Sequence, residues 1–150
     1  MANTYTCIRI HVVFSTKNRE RWITPEIEEN VWRYLGGICR DHGAKAIMVG
    51  GVEDHVHLLI GLSPAVALSD LMRRLKGESS KWISSEWPAL AGFGWQDGYG
   101  AFSIGQSQVD RTIRYISGQR KHHAKVSFAD EFRKFVLMHD LPVDERYLLG

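Results

Sequence analysis

Two strand-like runs separated by five residues constrain this chain more than any other feature. Lys45 to Val49 and His55 to Gly61 are both strand-like, and Gly50-Gly51-Val52-Glu53-Asp54 joins them. So short a connection containing glycine indicates an antiparallel hairpin. Before it, Cys7 to Ser15 is rich in β-branched residues and reads as another strand. Between them, Thr24-Pro25-Glu26 predicts a helix start, with Thr24 as N-cap and Pro25 at the first helical position. Ile27, Val31, Tyr34, Leu35 and Ile38 then recur at helical spacing as far as His42-Gly43. After the hairpin, Leu68, Leu71, Met72, Leu75 and Ile83 mark a second helix from near Ala65 to about Glu86, closed off by Pro88. A Gly- and aromatic-rich stretch, Gly92 to Gly100, leads to a short strand at Ala101 to Ile104. Helices are predicted from about Gln108 to Lys121 and from Phe128 to Met138.

The resulting order, β-α-β-β-α-β followed by helices, is that of an α+β ferredoxin-like sandwich with an antiparallel sheet and appended C-terminal helices. We find no linker, repeat or low-complexity segment, so residues 1–150 are expected to form one domain. That length buries a core without disulfides. Cys7 and Cys39 have neither framework nor metal-type spacing and read as thiols in a reducing compartment. No run approaches the roughly 18 apolar residues needed to span a bilayer, and no signal-peptide pattern opens the chain. A cytoplasmic, nucleoid-associated protein is expected, with no membrane partner.

Net charge is only +2, but the cations are clustered. Lys17, Arg19 and Arg21 come early; Arg73, Arg74, Lys76 and Lys81 lie mid-chain; Arg111, Arg114, Arg120, Lys121 and Lys125 fall near the end. Any one cluster reads as a solvated face, whereas three around one site would suit a phosphate backbone. Lys17, Arg19, Arg73, Arg74, Lys76, Arg120, Lys121 and His122 are the candidates for DNA contact.

His55-Val56-His57 is the sharpest chemical feature. Strand side chains alternate, so both imidazoles share a face and can clasp one divalent ion. Two strand histidines can equally hydrogen-bond at a sheet edge, and spacing alone leaves both readings open. Tyr115 and Gln119, four apart on a predicted helix, share a helical face. Gln119 offers an amide oxygen to a hard cation and Tyr115 a phenol that can attack phosphorus. A partly buried core tyrosine fits the same pattern. His122 and His123 suit the C-terminal dipole of that helix. His11 reads as a core histidine or as lining the sheet face of the histidine pair, and Gly50 and Gly51 as hairpin residues or as room for DNA to approach the backbone. Phe93, Trp95, Tyr99 and Phe102 suit either core packing or base stacking.

In order, HVVFSTKNR, GGVEDHVHLLI, FGWQDGYGAFSI and YISGQRKHH followed by SFADEF resemble the insertion sequence 200/605 type of single-tyrosine HUH transposase, from about Tyr5 to Leu148. The resemblance implies that His55 and His57 are the HUH metal ligands, Gln119 the third ligand and Tyr115 the nucleophile. It further implies a divalent metal (Mg²⁺ or Mn²⁺), no small-molecule cofactor, single-stranded DNA hairpins at transposon ends as substrate, and a homodimer in which one chain's tyrosine helix can complete the other's histidine pair. Attack by Tyr115 would give a 5′-phosphotyrosine and a free 3′-OH, reversible because one phosphodiester replaces another. Where the family often has Asn before the Gln, this chain has Ser117-Gly118; a helical Gly costs roughly 1 kcal/mol against Ala and loosens the tyrosine helix. His57→Ala is expected to abolish cleavage and spare the fold. A domesticated relative that processes chromosomal palindromes, and a non-catalytic nucleic-acid module on the same fold, are the alternative readings.

Overall fold

The computed structural model describes residues 3–144. Its sheet has four strands: β1 (Arg9–Ser15), β2 (Ala44–Val52), β3 (His55–Leu62) and β4 (Gly100–Ile104). They run in the order β2-β3-β1-β4, with every neighbouring pair antiparallel. That is the ferredoxin-like arrangement, and it places the histidine-bearing β3 centrally, beside β1. The hairpin is tighter than the sequence indicates. Gly50 to Val52 continue β2, leaving Glu53-Asp54 as the turn.

Alternation along the central strands sorts side chains into two cores. Val12 and Phe14 of β1, with Val56, Leu58 and Ile60 of β3, face α1 (Glu28–Asp41) and α2 (Leu68–Glu86). These helices bury Val31, Leu35 and Ile38, and Leu71, Met72, Leu75 and Ile83, along apolar stripes of helical period. The opposite face carries His11, Val13, His55, His57 and Phe102. It is covered by α3 (Val109–Ser117), α4 (Gln119–His123) and α5 (Phe128–Met138), with Phe128 and Phe132 against Val13 and Phe102.

Three boundaries differ from expectation. Helix α1 begins at Glu28, because Thr24 to Ile27 form a turn in which the Thr24 carbonyl accepts from the amides of Ile27 and Glu28. Helix α2 begins at Leu68, after an extended Ala67. The expected helix over 108–121 is two helices divided at Gly118, whose ψ of 16° departs from helical values. Of the aromatics offered for stacking, Phe93, Trp95 and Phe102 are buried core residues, while Tyr99 is exposed. Among the described residues no helix is long and apolar enough to cross a membrane.

Candidate active site

His55 and His57 are fully buried on the face of β3 that the C-terminal helices cover. Each ring is held at the nitrogen remote from the centre of the site. Asp54 Oδ1 lies 2.8 Å from His55 Nδ1, and His11 Nε2 lies 2.8 Å from His57 Nδ1. A proton on each Nδ1 is the tautomer that would turn both Nε2 lone pairs toward a ligand, as metal-binding histidines need; in this structure His57 Nε2 meets the Glu131 carboxylate at 2.9 Å. Asp54 and His11 therefore orient the pair. The sequence assigns Asp54 no role; for His11 it offers a core position or a place on the face of the histidine pair, and the structure puts it on that face.

The break at Gly118 brings Gln119 inward. It is buried, its Oε1 lies 3.1 Å from His55 Nε2, and its amide nitrogen donates to the Tyr115 carbonyl at 3.3 Å. Tyr115, on α3, is half-buried with its ring centroid 5.7 Å from that of His57. The tyrosine thus faces the histidine pair of its own chain. Its hydroxyl donates to Glu131 of α5 and lies 3.3 Å from His122 Nε2.

Glu131, which the sequence reading passed over, is the hub. Its buried carboxylate places Oε1 at 2.9 Å from His57 Nε2 and 3.7 Å from His55 Nε2; Oε2 lies 3.2 Å from His122 Nε2 and 3.1 Å from His123 Nε2. The signal was present in sequence. Phe128, Phe132 and Phe135 define the apolar stripe of α5, and Glu131 falls on that stripe. An acid on a buried stripe is seldom there without partners.

Burial is the dominant influence on the imidazoles, pushing His57 down to about 4 and His11 down to about 3. Burial also raises the Tyr115 phenol, and its bond to Glu131 raises it further. Burial would raise Glu131 too, but the surrounding imidazoles of His123 and His57 outweigh it and hold the carboxyl well below its ordinary range. His123 alone moves the other way among the ring nitrogens: Glu131 outweighs burial and raises it. His11 and His57 ordinarily titrate at 6.5, so between there and their folded values the unfolded chain binds more protons. Their stabilisation is complete above that window and is lost as pH falls through it. Depressed Glu131 adds a loss of the same sign below its ordinary 4.5, whereas His123 works oppositely, favouring the fold at lower pH. Burial lowers His122 as well, so three imidazoles and a carboxylate against one imidazole predict a melting midpoint that falls as pH drops from neutral toward 4. Thermal unfolding followed by circular dichroism checks this, and a flat profile over the window would contradict it.

The expected phosphate-contacting cations do not all gather here. Lys121 and His122 lie beside the site on α4. Arg120, also on α4, is engaged at 2.8 Å with Glu53 and 2.9 Å with Glu28, tying α4 to the hairpin turn and to α1. Lys17 and Arg19 sit in a short 3-10 turn after β1. Arg73 and Arg74 are exposed on α2, across the sheet from the histidines; Lys76 of α2 donates to the carbonyls of Asp97 and Gly98.

A ferredoxin-like sheet carries the paired strand histidines, faced by a glutamine and a tyrosine from the C-terminal helices, and the proteins this chain is similar to are transposases, enzymes that cut and join DNA. The profile of the family described as "Transposase IS200 like" matches residues 4–119, and the chain belongs to that family. It is similar to the ISDra2 transposase TnpA of Deinococcus radiodurans, 25% identical over 117 residues that make up 75% of this chain and 84% of the relative. The transposase for insertion sequence element IS200 of Salmonella typhimurium is 29% identical over 90 residues, 60% of this chain and 59% of the relative. Among solved structures, a Deinococcus radiodurans protein described as a transposase superposes with a TM-score of 0.66 at 23% identity, covering 79% of this chain and 95% of that one. A REP-associated tyrosine transposase bound to a REP hairpin superposes with a TM-score of 0.61 at 16% identity, covering 96% and 88%.

Proposed function

We propose that this transposase cleaves and rejoins single-stranded DNA at hairpin-forming ends, with Tyr115 as nucleophile and a divalent ion, Mg²⁺ or Mn²⁺, held by His55, His57 and Gln119. The observation that carries the reading is that, on one covered face of the sheet, His55 Nε2 meets the Gln119 amide oxygen at 3.1 Å while His57 Nε2 and the Tyr115 hydroxyl both meet the Glu131 carboxylate. The donor set fits an ion: the Nε2 of His123 is buried 3.1 Å from Glu131 Oε2 without an aligned hydrogen bond. Bound there, the ion supplies positive charge against the non-bridging oxygens of the scissile phosphate.

The chain's own residues do the rest. Asp54 and His11 hold the histidine rings, and α3 presents the Tyr115 oxygen. That oxygen forms a bond to phosphorus while the bond to the 3′ oxygen breaks, leaving a 5′-phosphotyrosine and a 3′-OH. Only about one unperturbed phenol in a thousand is ionised at neutral pH. Glu131 already accepts the hydrogen bond of the hydroxyl and so aims the Tyr115 oxygen; over the whole step the phenol proton ends on the departing 3′ oxygen, which leaves as the 3′-OH. Lys121 and His122 border the approach for phosphate. A homodimer remains part of the reading on family grounds, although Tyr115 and the pair it faces lie within one chain.

Hairpin DNA as substrate is supported by the neighbour solved on a REP hairpin. The same likeness supports the second reading, processing of chromosomal palindromes by the same chemistry. Purified protein is incubated with labelled single-stranded hairpin DNA and resolved on a denaturing protein gel. A shifted band formed with Mg²⁺ or Mn²⁺ and lost with chelator is expected. Tight DNA binding with no band under any divalent ion would favour a non-catalytic binding module.

The surroundings of His57 bear on stability as well as on cleavage. Removing its side chain takes partners from Glu131 and His11 in a buried setting, so His57→Ala is expected to lose cleavage and to destabilise the fold by on the order of 3 kcal/mol. Urea unfolding measures the second effect, and an unchanged midpoint would return His57 to a purely catalytic role.

A further inference from the structure

We propose that the C-terminal helices close the metal centre: Glu131 of α5 and His123 of α4 join His55 and His57 as a four-ligand set suited to a tetrahedral ion of the zinc type. The inference rests on the reading of His55 and His57 as metal ligands. It departs from the three-ligand set with Gln119, because both added residues lie beyond the segment, 4–119, that the family profile matches.

Geometry carries it. One ligand atom from each of His55, His57, His123 and Glu131 lies within 4.8 Å of the other three. Zinc–nitrogen and zinc–oxygen bonds of 2.0–2.2 Å in a tetrahedron put ligand atoms about 3.4 Å apart. From Glu131 Oε1, His57 Nε2 at 2.9 Å and His55 Nε2 at 3.7 Å bracket that edge, while His123 Nε2 lies 3.1 Å from the other oxygen, Oε2. The ligands are pre-oriented: Asp54 holds His55, His11 holds His57, and Ser127 caps the start of α5 by accepting from Asp130. His123 Nε2 is buried without an aligned hydrogen-bond partner although Glu131 is only 3.1 Å away. An ion between them satisfies both. Three imidazoles and a carboxylate are a borderline donor set of the kind zinc takes, whereas magnesium favours oxygen.

Four protein ligands leave no position open for phosphate, as in structural zinc sites. The carboxylate that completes this set is also the one that holds the Tyr115 hydroxyl. Zinc in the closed set therefore keeps the nucleophile bound and the scissile phosphate out. Cleavage requires the Glu131 and His123 ligands of the C-terminal helices to give way to Gln119, leaving the His55, His57 and Gln119 set with open positions.

Cobalt(II) reports this directly, because four-coordinate cobalt absorbs visible light far more intensely than six-coordinate cobalt. The full-length protein is titrated with Co²⁺, and bound Co²⁺ is then displaced with Zn²⁺. Wild type is expected to give the intense four-coordinate bands. Glu131→Gln and His123→Gln should lose that intensity and bind Co²⁺ at least about 10-fold more weakly. Far-UV circular dichroism reports folding; if Glu131→Gln unfolds, the less buried His123→Gln still decides. A pale six-coordinate spectrum in wild type, or a folded His123→Gln with wild-type spectrum and affinity, overturns the four-ligand set. The covalent adduct assay in Mg²⁺ is run on the same wild-type preparation. Intense cobalt bands with no adduct would sink the proposed function and leave the closed centre standing. An adduct with pale cobalt would do the reverse.

Discussion

Tyr115→Phe is expected to bind hairpin DNA as the parent does and to form no covalent adduct, a loss beyond the roughly 10⁴-fold range that a denaturing gel resolves. Removing one oxygen deletes the only atom proposed to bond phosphorus, so no weaker version of the step survives. The ring remains and keeps its edge-on contacts with His57 and Phe135, at centroid separations of 5.7 and 5.9 Å. Packing on α3 is therefore preserved. The substitution does remove a donor from buried Glu131, but His57, His122 and His123 still surround that carboxylate. Stability should change by no more than on the order of 1 kcal/mol, the usual net contribution of one hydrogen bond. Filter binding and the adduct gel separate the two properties. An adduct of normal yield from Tyr115→Phe would remove Tyr115 from its role, and loss of DNA binding alongside loss of adduct would recast it as a binding residue.

What the sequence disclosed follows from what kind of information each feature needs. The four strands were legible because β-branched residues and period-2 alternation are local, and the order of elements then implied the sheet. His55 and His57 were legible for the same reason: two residues apart on a strand, they must share a face. Tyr115 and Gln119 were visible as a helical pair, but the helix between them is broken. Gly118 ends α3 and starts α4, while the amides of Gly118 and His122 still bond the carbonyls four residues earlier. A glycine flagged as loosening a helix turns out to be the joint that aims Gln119 at His55. Glu131 was missed because its role depends on α5 folding back over the sheet, 74 residues from His57 in sequence. No local period encodes that return. Arg120 shows the converse failure, since a cation in a basic cluster is engaged by Glu53 and Glu28 only once three distant elements meet.

Gly50→Ala should lower the rate of adduct formation about 100-fold while leaving the protein folded. Gly50 pairs with His57 across the β2–β3 ladder, so it sits on the sheet face that the tyrosine helix covers. A Cβ there would lie 2.8 Å from the Ile116 carbonyl oxygen and 3.0 Å from its Cγ2. The first of these atoms is helix backbone and cannot rotate away. Ile116 is buried and adjacent to Tyr115, so relieving the contact means lifting α3, and the proposed nucleophile with it, off the sheet. Overpacking of this kind costs about 1–3 kcal/mol of stability. The catalytic penalty is larger, because a displacement of about 1 Å at a reacting group is enough for a hundredfold loss. Sequence alone gave Gly50 to the hairpin turn; the close approach of α3 gives it to the geometry of attack. The measurement is single-turnover adduct formation against thermal unfolding for the same variant. A rate within about threefold of wild type would mean that α3 accommodates the methyl group without moving Tyr115. A rate loss matched by global unfolding would reduce Gly50 to a packing residue. A large rate loss in a folded protein would place the required nucleophile position within about an ångström of the one α3 now holds.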